Sequence, residues 1–312
     1  MTGLLLQGAL VLAGAPLCTG ITRRLKARLQ YRRGPSIWQP YRDLAKWWSK
    51  AAVESDAAGP LTAAVPILAL TAIVAAALLV PIVATDAALP GAGDLLVVVG
   101  LLALARFLLV LLSLDAGSAF GGMGGSREVA IAALVEPGIV LALGVVALAA
   151  GSTDLAVIAG RGLALGSGAI DGPTLLAAAA FAMVAVAETG HEPVDNPDSH
   201  LELTMIHEGM LLEASGRRLA LLTYASHVKF VVVAGIFIAA FLPFGMAGSD
   251  PGPVALLVGA ATAAAKVGVA AVAVGLLDAG LAKMRILVLP SLLALAAGLA
   301  VTAVAASIWL PR

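Results

Sequence analysis

The sequence predicts an all-α polytopic membrane protein of about eight transmembrane helices, with a short amphipathic helix at the membrane interface. Three observations support this fold class. The 312 residues are 61% hydrophobic and only 12% charged, about half the charged share of a soluble domain. Mean hydropathy is +1.01. Apolar runs of about 18 or more residues recur along the whole chain, so we expect a single membrane bundle over residues 1–312.

The predicted spans follow the apolar runs in order. They cover residues 3–21, 61–84, 95–114, 128–150, 173–188, 225–244, 253–277 and 286–310. Pro173 suits the first turn of the fifth and shortest span, where a backbone N–H has no helical partner. No basic residue precedes the first apolar run, so we expect that run to be a retained helix and not a cleaved signal peptide.

The distribution of basic residues predicts the orientation of the chain. Most of the 19 Lys and Arg residues fall in alternate loops, at 22–60, 115–127, 189–224 and 278–285. On the opposite side only Arg161 and Arg312 are found. Cytoplasmic loops carry such an excess, so both termini are expected outside. The net charge of zero gives no indication of nucleic-acid binding.

The first long inner loop, residues 22–60, contains a predicted amphipathic helix after two proline turns. Within residues 41–50, Leu44, Trp47 and Trp48 share one side, and the charged residues take the other. Such a helix lies along the interface with its indole rings at the level of the lipid headgroups. The residues alone leave open whether this basic loop anchors the chain to anionic lipid or receives a soluble partner.

The second long inner loop, residues 189–224, concentrates ionisable groups. In a predicted helix after an Asn-Pro turn, Glu202 and Glu213 share one face and His200 and His207 another. A solvated surface explains these charges, and so does a metal site, although the spacing lacks H-E-x2-H. A hydrolase is disfavoured because G-x-S-x-G is absent. The ionisable residues from the end of span 5 onward are Glu188, His191, Glu192, Asp195, Asp198, His200, Glu202, His207, Glu208 and Glu213.

A charge within a membrane span costs about a few kcal/mol or more, and five ionisable residues in or near the predicted spans need an explanation for this reason. They are Arg106, Glu136, Glu188, Lys229 and Lys266. For Arg106 and Lys266, a buried pair with an acid that joins two helices is a sufficient structural explanation. Pro137 follows Glu136 and frees a backbone carbonyl beside the carboxylate. Pairing and ion passage both remain open on the residues alone.

The segment 115–128 has five glycines between Gly117 and Gly125, which predicts a close-packed loop before the fourth span. A phosphate-binding loop would need G-K-[ST], but Arg127 stands where the lysine would be. Cys18 is the only cysteine, so the chain can form no internal disulfide and hold no iron–sulfur cluster.

Both long inner loops resemble those of the complex I subunit 1 family. GPSIWQPYRDLAK contains the family signature GP-x3-QP-x2-D-x2-K. From Ala187 to Gly216 the chain follows the family pattern A-E, P-x-D, E-L, E-x-S-G. HLELTMIHE is typical of the hydrogenase branch, which includes formate hydrogenlyase subunit 4. DAGSAFGGMGGSRE and DAGLAKMRILVLP resemble the same branch, although Asp278 stands where glutamate is usual. GSREVAIAALVEP aligns with the fourth-span region of the family.

The resemblance implies a membrane anchor and coupling subunit in a prokaryotic cytoplasmic membrane, without a cofactor of its own. Its implied partners are [NiFe]-hydrogenase-like large and small subunits, a ferredoxin-like iron–sulfur subunit, antiporter-like membrane subunits and lipid. The [NiFe] centre and iron–sulfur clusters would lie in the cytoplasmic partners. The chain alone would catalyse no reaction.

The resemblance also implies roles for single residues. The ion path would run through Glu128, Glu136, Glu188, Asp195, Glu202, Glu208 and Glu213. The docking surface for the cytoplasmic arm would include Gly34, Pro35, Gln39, Pro40, Asp43 and Lys46. Structural or pairing charges would be Arg106, Arg127, Lys229, Lys266, Asp278, Lys283 and Arg285.

Two alternatives stay open. Within the same family, the chain would be a quinone-site subunit of respiratory complex I, with residues 34–46 beside the quinone entrance. In a different class, it would be a free-standing ion transporter. The sequence lacks the repeat of matching hydropathy halves that many transporters show, which disfavours the second alternative.

Overall fold

The computed structural model describes residues 2–53, 55, 58–85, 92–115, 117–195 and 205–309. These ranges form α-helices and two 3-10 turns, Gly166–Ala169 and Ile286–Val288, and no β-strand. The helices are α1 (Thr2–Leu29), α2 (Gln39–Trp48), α3 (Leu61–Leu79), α4 (Leu95–Asp115), α5 (Ala119–Ala150), α6 (Leu155–Leu165), α7 (Gly172–Glu188), α8 (His207–Leu211), α9 (Gly216–Phe241), α10 (Pro253–Gly280) and α11 (Leu289–Trp309).

The predicted fold class is confirmed. In the described ranges seven helical segments are long and apolar enough to cross a membrane. They are α1, α3, α4, α5, α9, α10 and the segment Ile286–Trp309, which contains α11. The remaining predicted span is α7, whose 17 residues extend about 25 Å at the helical rise of about 1.5 Å per residue. The amphipathic α2 stands where the interfacial helix was expected.

The prediction of a glycine-rich loop at residues 115–128 is wrong, because α5 begins at Ala119 and contains most of this segment. This helix begins at Ala119, and the Ser118 side chain caps it by accepting a hydrogen bond from Gly121 N at 3.2 Å. A Cβ on Gly121 would lie 2.4 Å from Ser113 O, and one on Gly125 would lie 2.6 Å from Ser113 Oγ. The glycines therefore permit close contact between α4 and α5, as small residues do between membrane helices.

The helix predicted in the second inner loop is much shorter than expected. Only α8, of five residues, forms in its described part. Glu213 lies beyond the end of α8, and Glu202 and His200 lie outside the described residues. The prediction that one helix places Glu202 and Glu213 on a shared face is therefore wrong in its extent.

An additional short helix, α6, occupies the outer loop between the fourth and fifth predicted spans. The Asp154 side chain caps it by accepting a hydrogen bond from Ala156 N at 2.8 Å. Eleven residues are too few to cross a membrane, so α6 does not change the alternation of the spans.

The loops predicted to be cytoplasmic meet at one end of the bundle, called here the inner end. Val53 in the first long loop donates its N–H to Ser215 Oγ at 2.7 Å, near the end of the second. Met284, between α10 and α11, donates its N–H to Pro193 O at 2.8 Å. Three loops that are distant in sequence thus form one surface.

The other loops meet at the opposite, outer end. Thr85 N donates to Ala247 O at 3.0 Å, and Leu95 N donates to Thr153 O at 2.9 Å. This grouping agrees with spans that alternate in direction.

Gln7 in α1 is a buried polar residue that the sequence analysis did not single out. Its Nε2 donates to Ala77 O at 3.1 Å and Val80 O at 2.7 Å, and its Oε1 accepts from Ile82 N at 3.0 Å. The amide satisfies backbone groups that are left open where α3 ends, which water cannot do inside a membrane.

Candidate functional site

Arg106, in the middle of α4, is the centre of a buried ionic cluster. The residue is 7% exposed. Its Nη1 lies 2.5 Å from Glu136 Oε1, its Nη2 bonds to Glu188 Oε2, and its Nε lies 3.4 Å from Glu128 Oε1. Three of the acids proposed for the ion path therefore meet at one guanidinium, and the expected pairing of Arg106 with an acid is observed.

Four helices supply this cluster. Glu128 and Glu136 are eight residues apart on α5, which separates them by about 12 Å along the axis and about 80° around it. Arg106 reaches both from α4 because a guanidinium has five N–H donors in a rigid plane. Glu188 enters from the end of α7, and Lys229 on α9 lies 2.8 Å from Glu188 Oε1.

His207 extends the cluster towards the inner end. Its Nε2 lies 3.5 Å from Glu128 Oε2, and its Nδ1 lies 3.2 Å from Asp195 Oδ2. Lys283 Nζ lies 2.6 Å from Asp195 Oδ1 on the other side. Ionisable groups thus follow one another from the inner-end loops to the middle of α4.

The charge of this network depends on His207. Its described carboxylates are Glu128, Glu136, Glu188 and Asp195, and its described cations are Arg106, Lys229 and Lys283. A protonated His207 makes these residues neutral in total, whereas a neutral imidazole leaves one unmatched negative charge. Buried charge is costly unless it is matched. Within this set of residues, a protonated His207 is therefore favoured.

The pKa values of the loop residues agree with this charge count. Burial by itself lowers the pKa of His207, but the Glu128 and Asp195 carboxylates raise it above its usual 6.5. Burial alone raises the pKa of Asp195, but hydrogen bonds and charges from His207 and Lys283 hold it well below its usual range. The imidazolium is thus favoured next to a carboxylate that stays ionised.

His207 should make the stability of the inner end depend on pH. Because its pKa is raised by folding, its stabilising contribution is complete below about pH 6.5 and is lost as pH rises through the raised value. We expect hydrogen exchange at residues 205–211, corrected for the intrinsic rate, to be faster at about pH 9 than at about pH 6. His207→Gln should abolish this difference, and an unchanged pH dependence in that variant would contradict the assignment.

A second polar cluster lies between α1, α10 and the second inner loop. Asp278 on α10 is buried and accepts hydrogen bonds from His191 Nδ1 at 3.0 Å and Glu192 N at 3.1 Å. Glu192 Oε1 lies 3.4 Å from Lys26 Nζ on α1. The shorter Asp278 thus reaches its partners despite standing where the resemblance leads one to expect glutamate. Sequence reasoning did not predict this cluster.

A cavity of about 300 Å³ contacts both clusters. Its polar lining includes Arg23, Arg106, His191, His207 and Asp278. Trp47 of α2 also lines it, so this indole faces the protein interior as well as the interface. The cavity therefore connects the inner-end loops with the buried ionic cluster around Arg106.

Two other proposed path residues differ in their relation to the cavity. Glu208 in α8 forms part of its lining. Glu213 lies outside the lining, and in the described chain it makes no ion pair with the network. Glu202 lies outside the described residues.

The expected pairing of Lys266 with an acid is wrong within the described ranges. Lys266 Nζ donates instead to Leu242 O at 2.5 Å and to Phe244 O, at the outer end of α9. It satisfies carbonyls that the end of that helix leaves open. Of the other charges assigned to pairing, Arg127 Nη1 donates to Met205 O at 2.9 Å, and Arg285 is exposed.

Some signature residues of the first inner loop make contacts within the protein, and others are exposed. Gln39 Nε2 donates to Asp43 Oδ1 at 2.8 Å, and Pro40 is buried. Gly34 lies against α1, where an added Cβ would come within 3.0 Å of Arg24 O. The exposed members are Pro35 and Lys46. Part of the signature therefore fixes the loop on the bundle.

Among the described residues, no group of three or more His, Cys, Asp or Glu side chains is arranged to hold a metal ion. His200, one half of the H-x6-H pair, lies outside those ranges.

Comparisons with known proteins agree with this architecture. Hydrogenase-4 component C of Escherichia coli (strain K12) is 40% identical over 245 residues, which are 78% of this chain and 76% of that protein. Formate hydrogenlyase subunit 4 of the same strain is 34% identical over 287 residues, 92% of each chain. Both names describe components of larger assemblies.

The fold is also similar to that of a chain in the membrane-bound sulfane sulfur reductase, an archaeal respiratory membrane complex. The TM-score is 0.82 at 22% identity, covering 98% of this chain and 99% of that one. The sequence matches the NADH dehydrogenase family over residues 2–309. The chain therefore belongs to the NADH dehydrogenase family of complex I subunit 1-like membrane proteins, as a multi-pass subunit homologous to hydrogenase-4 component C and formate hydrogenlyase subunit 4.

Proposed function

We propose that the chain is the membrane anchor and coupling subunit of a group 4 hydrogenase-like or formate hydrogenlyase-like complex. It joins a cytoplasmic arm, with [NiFe] and iron–sulfur subunits, to antiporter-like subunits in the membrane. Similarity to the two Escherichia coli proteins supports this branch of the family. The excess of Lys and Arg in the inner-end loops supports an orientation with both termini outside.

The observation that carries the proposal is the continuity of the ionic network. From Asp195, contacts pass through His207 and Glu128 to Arg106. From Arg106 they continue to Glu136 and Glu188. In this proposal Arg106 is a fixed counter-charge, and protons move among the carboxylates and His207 around it. Glu202 and Glu208 would extend the path at the inner end.

The position of Glu136 supports an exit towards membrane partners. Its side chain is 40% exposed although Arg106, which it binds, is buried. Glu136 is 17 residues from the start of α5, about 25 Å along the helix. A carboxylate at such depth is costly next to lipid, which favours a covering polar protein surface. We therefore place an antiporter-like partner against this part of α5.

The inner end offers a docking surface for the cytoplasmic arm. Tyr31, Trp38 and Trp48 are exposed there, among the arginines and lysines of the first inner loop. Protein interfaces are enriched in aromatic residues and arginine. This combination supports a protein partner more than lipid alone.

The docking proposal predicts which subunits copurify with the chain. We expect the tagged chain, extracted from membranes, to bring iron–sulfur subunits with it. Trp48→Ser should lower the copurifying iron by about tenfold or more, as expected when an aromatic anchor of an interface is truncated. Trp309→Ser is the matched control, since Trp309 is also exposed but ends α11 at the outer end.

The two results have different meanings. Absence of iron from the wild-type preparation would contradict the coupling function. Full retention of iron by Trp48→Ser would place the arm elsewhere on the inner end.

The cavity favours one second function, quinone binding in a respiratory complex I. Its volume of about 300 Å³ is at the lower limit of pockets for small organic ligands. Its lining combines apolar side chains with histidines and charged groups. Inhibition of electron transfer by quinone-site inhibitors, competitive with added quinone, would favour this function over the hydrogenase-like one.

A further inference from the structure

A second, smaller crevice runs between α5 and the start of α11. Its volume is about 180 Å³, and Ser126, Arg127 and Leu134 form one wall while Leu289 and Leu293 belong to the other. It is separate from the ionic network, because none of these residues belongs to the two clusters. Of its apolar lining residues, Ala130, Leu134 (39%) and Pro290 are exposed on the surface of the bundle. The crevice therefore faces the surroundings of the protein.

The polarity of the crevice changes with depth. Ser126 and Arg127 lie towards the inner end, where α5 begins. Leu134 lies eight residues further along α5, about 12 Å deeper. The opposite wall is apolar, with Pro290 at its surface and the buried Leu289 and Leu293 behind it. The crevice is thus cationic at its rim and apolar at its floor, the same order of polarity as a lipid headgroup followed by an acyl chain.

The charge at the rim defines the headgroup. Arg127 Nη1 donates to Met205 O at 2.9 Å, which holds the side chain in place. Within the described ranges Arg127 forms no ion pair, and its other N–H groups can donate to an anion. Arg285, which is exposed, precedes the other wall. Basic pockets between transmembrane helices on the cytoplasmic side suit anionic headgroups.

We propose that this crevice binds one anionic phospholipid, with its phosphate at Arg127 and Ser126 and one acyl chain along Ala130, Leu134 and Pro290. The volume is below the about 300–1,000 Å³ of pockets that enclose a whole small molecule, so it suits part of a single chain. The site lies between the start of α5, which carries Glu128, and the segment after Lys283. Bound lipid would therefore hold together two elements that supply the ionic network.

Native mass spectrometry of the full chain, purified with its copurifying subunits, tests this site. We expect the wild type to retain one added phosphatidylglycerol about fivefold better than phosphatidylcholine, the preference expected from one arginine near the membrane surface. Arg127→Gln should lose this preference. Arg161→Gln should keep it, since Arg161 is exposed on α6 at the outer end. Leu134→Trp, which fills the chain path, should weaken retention of both lipids.

Four outcomes would overturn the proposal. The first is equal retention of the two lipids by the wild type. The second is an unchanged preference in Arg127→Gln. The third is displacement of the lipid by inorganic phosphate alone, which would mean that the apolar floor contributes nothing. A helix of another subunit crosslinked into the crevice, with no lipid bound, would overturn it as well.

Discussion

Arg106→Gln is expected to destabilise the chain by about 3–5 kcal/mol, the typical effect of removing one partner from a buried ion pair. The substitution leaves Glu128 and Glu188 buried, with Lys229 as the nearest remaining fixed cation. Glu136 would lose its partner within the membrane. We expect a strong fall in the amount of assembled protein in membranes and in its melting temperature, measured in detergent.

A charge-matched double variant separates this electrostatic effect from lost packing. Arg106→Gln with Glu188→Gln removes one positive and one negative charge and should recover part of the stability. Arg106→Lys keeps the charge but lacks the planar fork that reaches three carboxylates, so an intermediate result is expected. Arg161→Gln, at an exposed outer position, should have no effect. If the single variant is as stable as the wild type, the cluster does not hold the helices together.

Glu136→Gln is expected to lower coupled ion translocation by about 100-fold or more, the loss typical of removing a positioned proton-transfer group. The amide keeps the shape of the side chain but cannot take up a proton. The complex should stay assembled, because Arg106 retains Glu128 and Glu188. Glu202→Gln should give the same phenotype if this residue continues the path. The measurement is the number of ions moved per electron transferred in proteoliposomes.

The control for this prediction is an acid-to-amide change at the outer end. Asp250 is exposed and has a positive φ of 52°, a conformation that asparagine adopts readily. Asp250→Asn should therefore preserve both assembly and ion translocation. Unimpaired translocation in Glu136→Gln and Glu202→Gln would remove these carboxylates from the path.

The spans were predictable because a helix that crosses a bilayer needs about 20 apolar residues, a signal that is local in sequence. The start of α5 was not predictable on the same basis. Glycines such as Gly121 and Gly125 indicate a loop when they are considered locally. These glycines are instead required because α5 contacts Ser113 on α4 at close range, a tertiary contact that the local sequence does not reveal.

The candidate site was predictable in its residue types and less so in its geometry. The cost of intramembrane charge identified Arg106, Glu136 and Glu188, and the structure brings them together. The same argument failed for Lys266, because backbone carbonyls at a helix end can replace an acid. Which group satisfies a charge depends on tertiary contacts.

The sequence gives only a weak indication of the second polar cluster, the one around Asp278. Lys26, Glu192 and Asp278 all lie near the inner ends of predicted spans or in inner loops, hence at a similar depth. Their similar depth places opposite charges at one level of the bundle, but it does not determine which residues form ion pairs or hydrogen bonds with one another. The hydrogen bonds of Asp278 to the second inner loop depend on the packing of α10 next to α1, which the local sequence does not specify.

Infrared difference spectroscopy of the assembled complex, with and without reductant, tests most directly whether carboxyl groups around Arg106 exchange protons during turnover. Reduction should produce a change in the carboxylic acid carbonyl band that shifts in D2O and is absent in Glu136→Gln. A spectrum with no change in this band, from a preparation that moves ions at the wild-type rate, would show that these carboxylates stay ionised throughout. Arg106 and its partners would then be a structural ion cluster only.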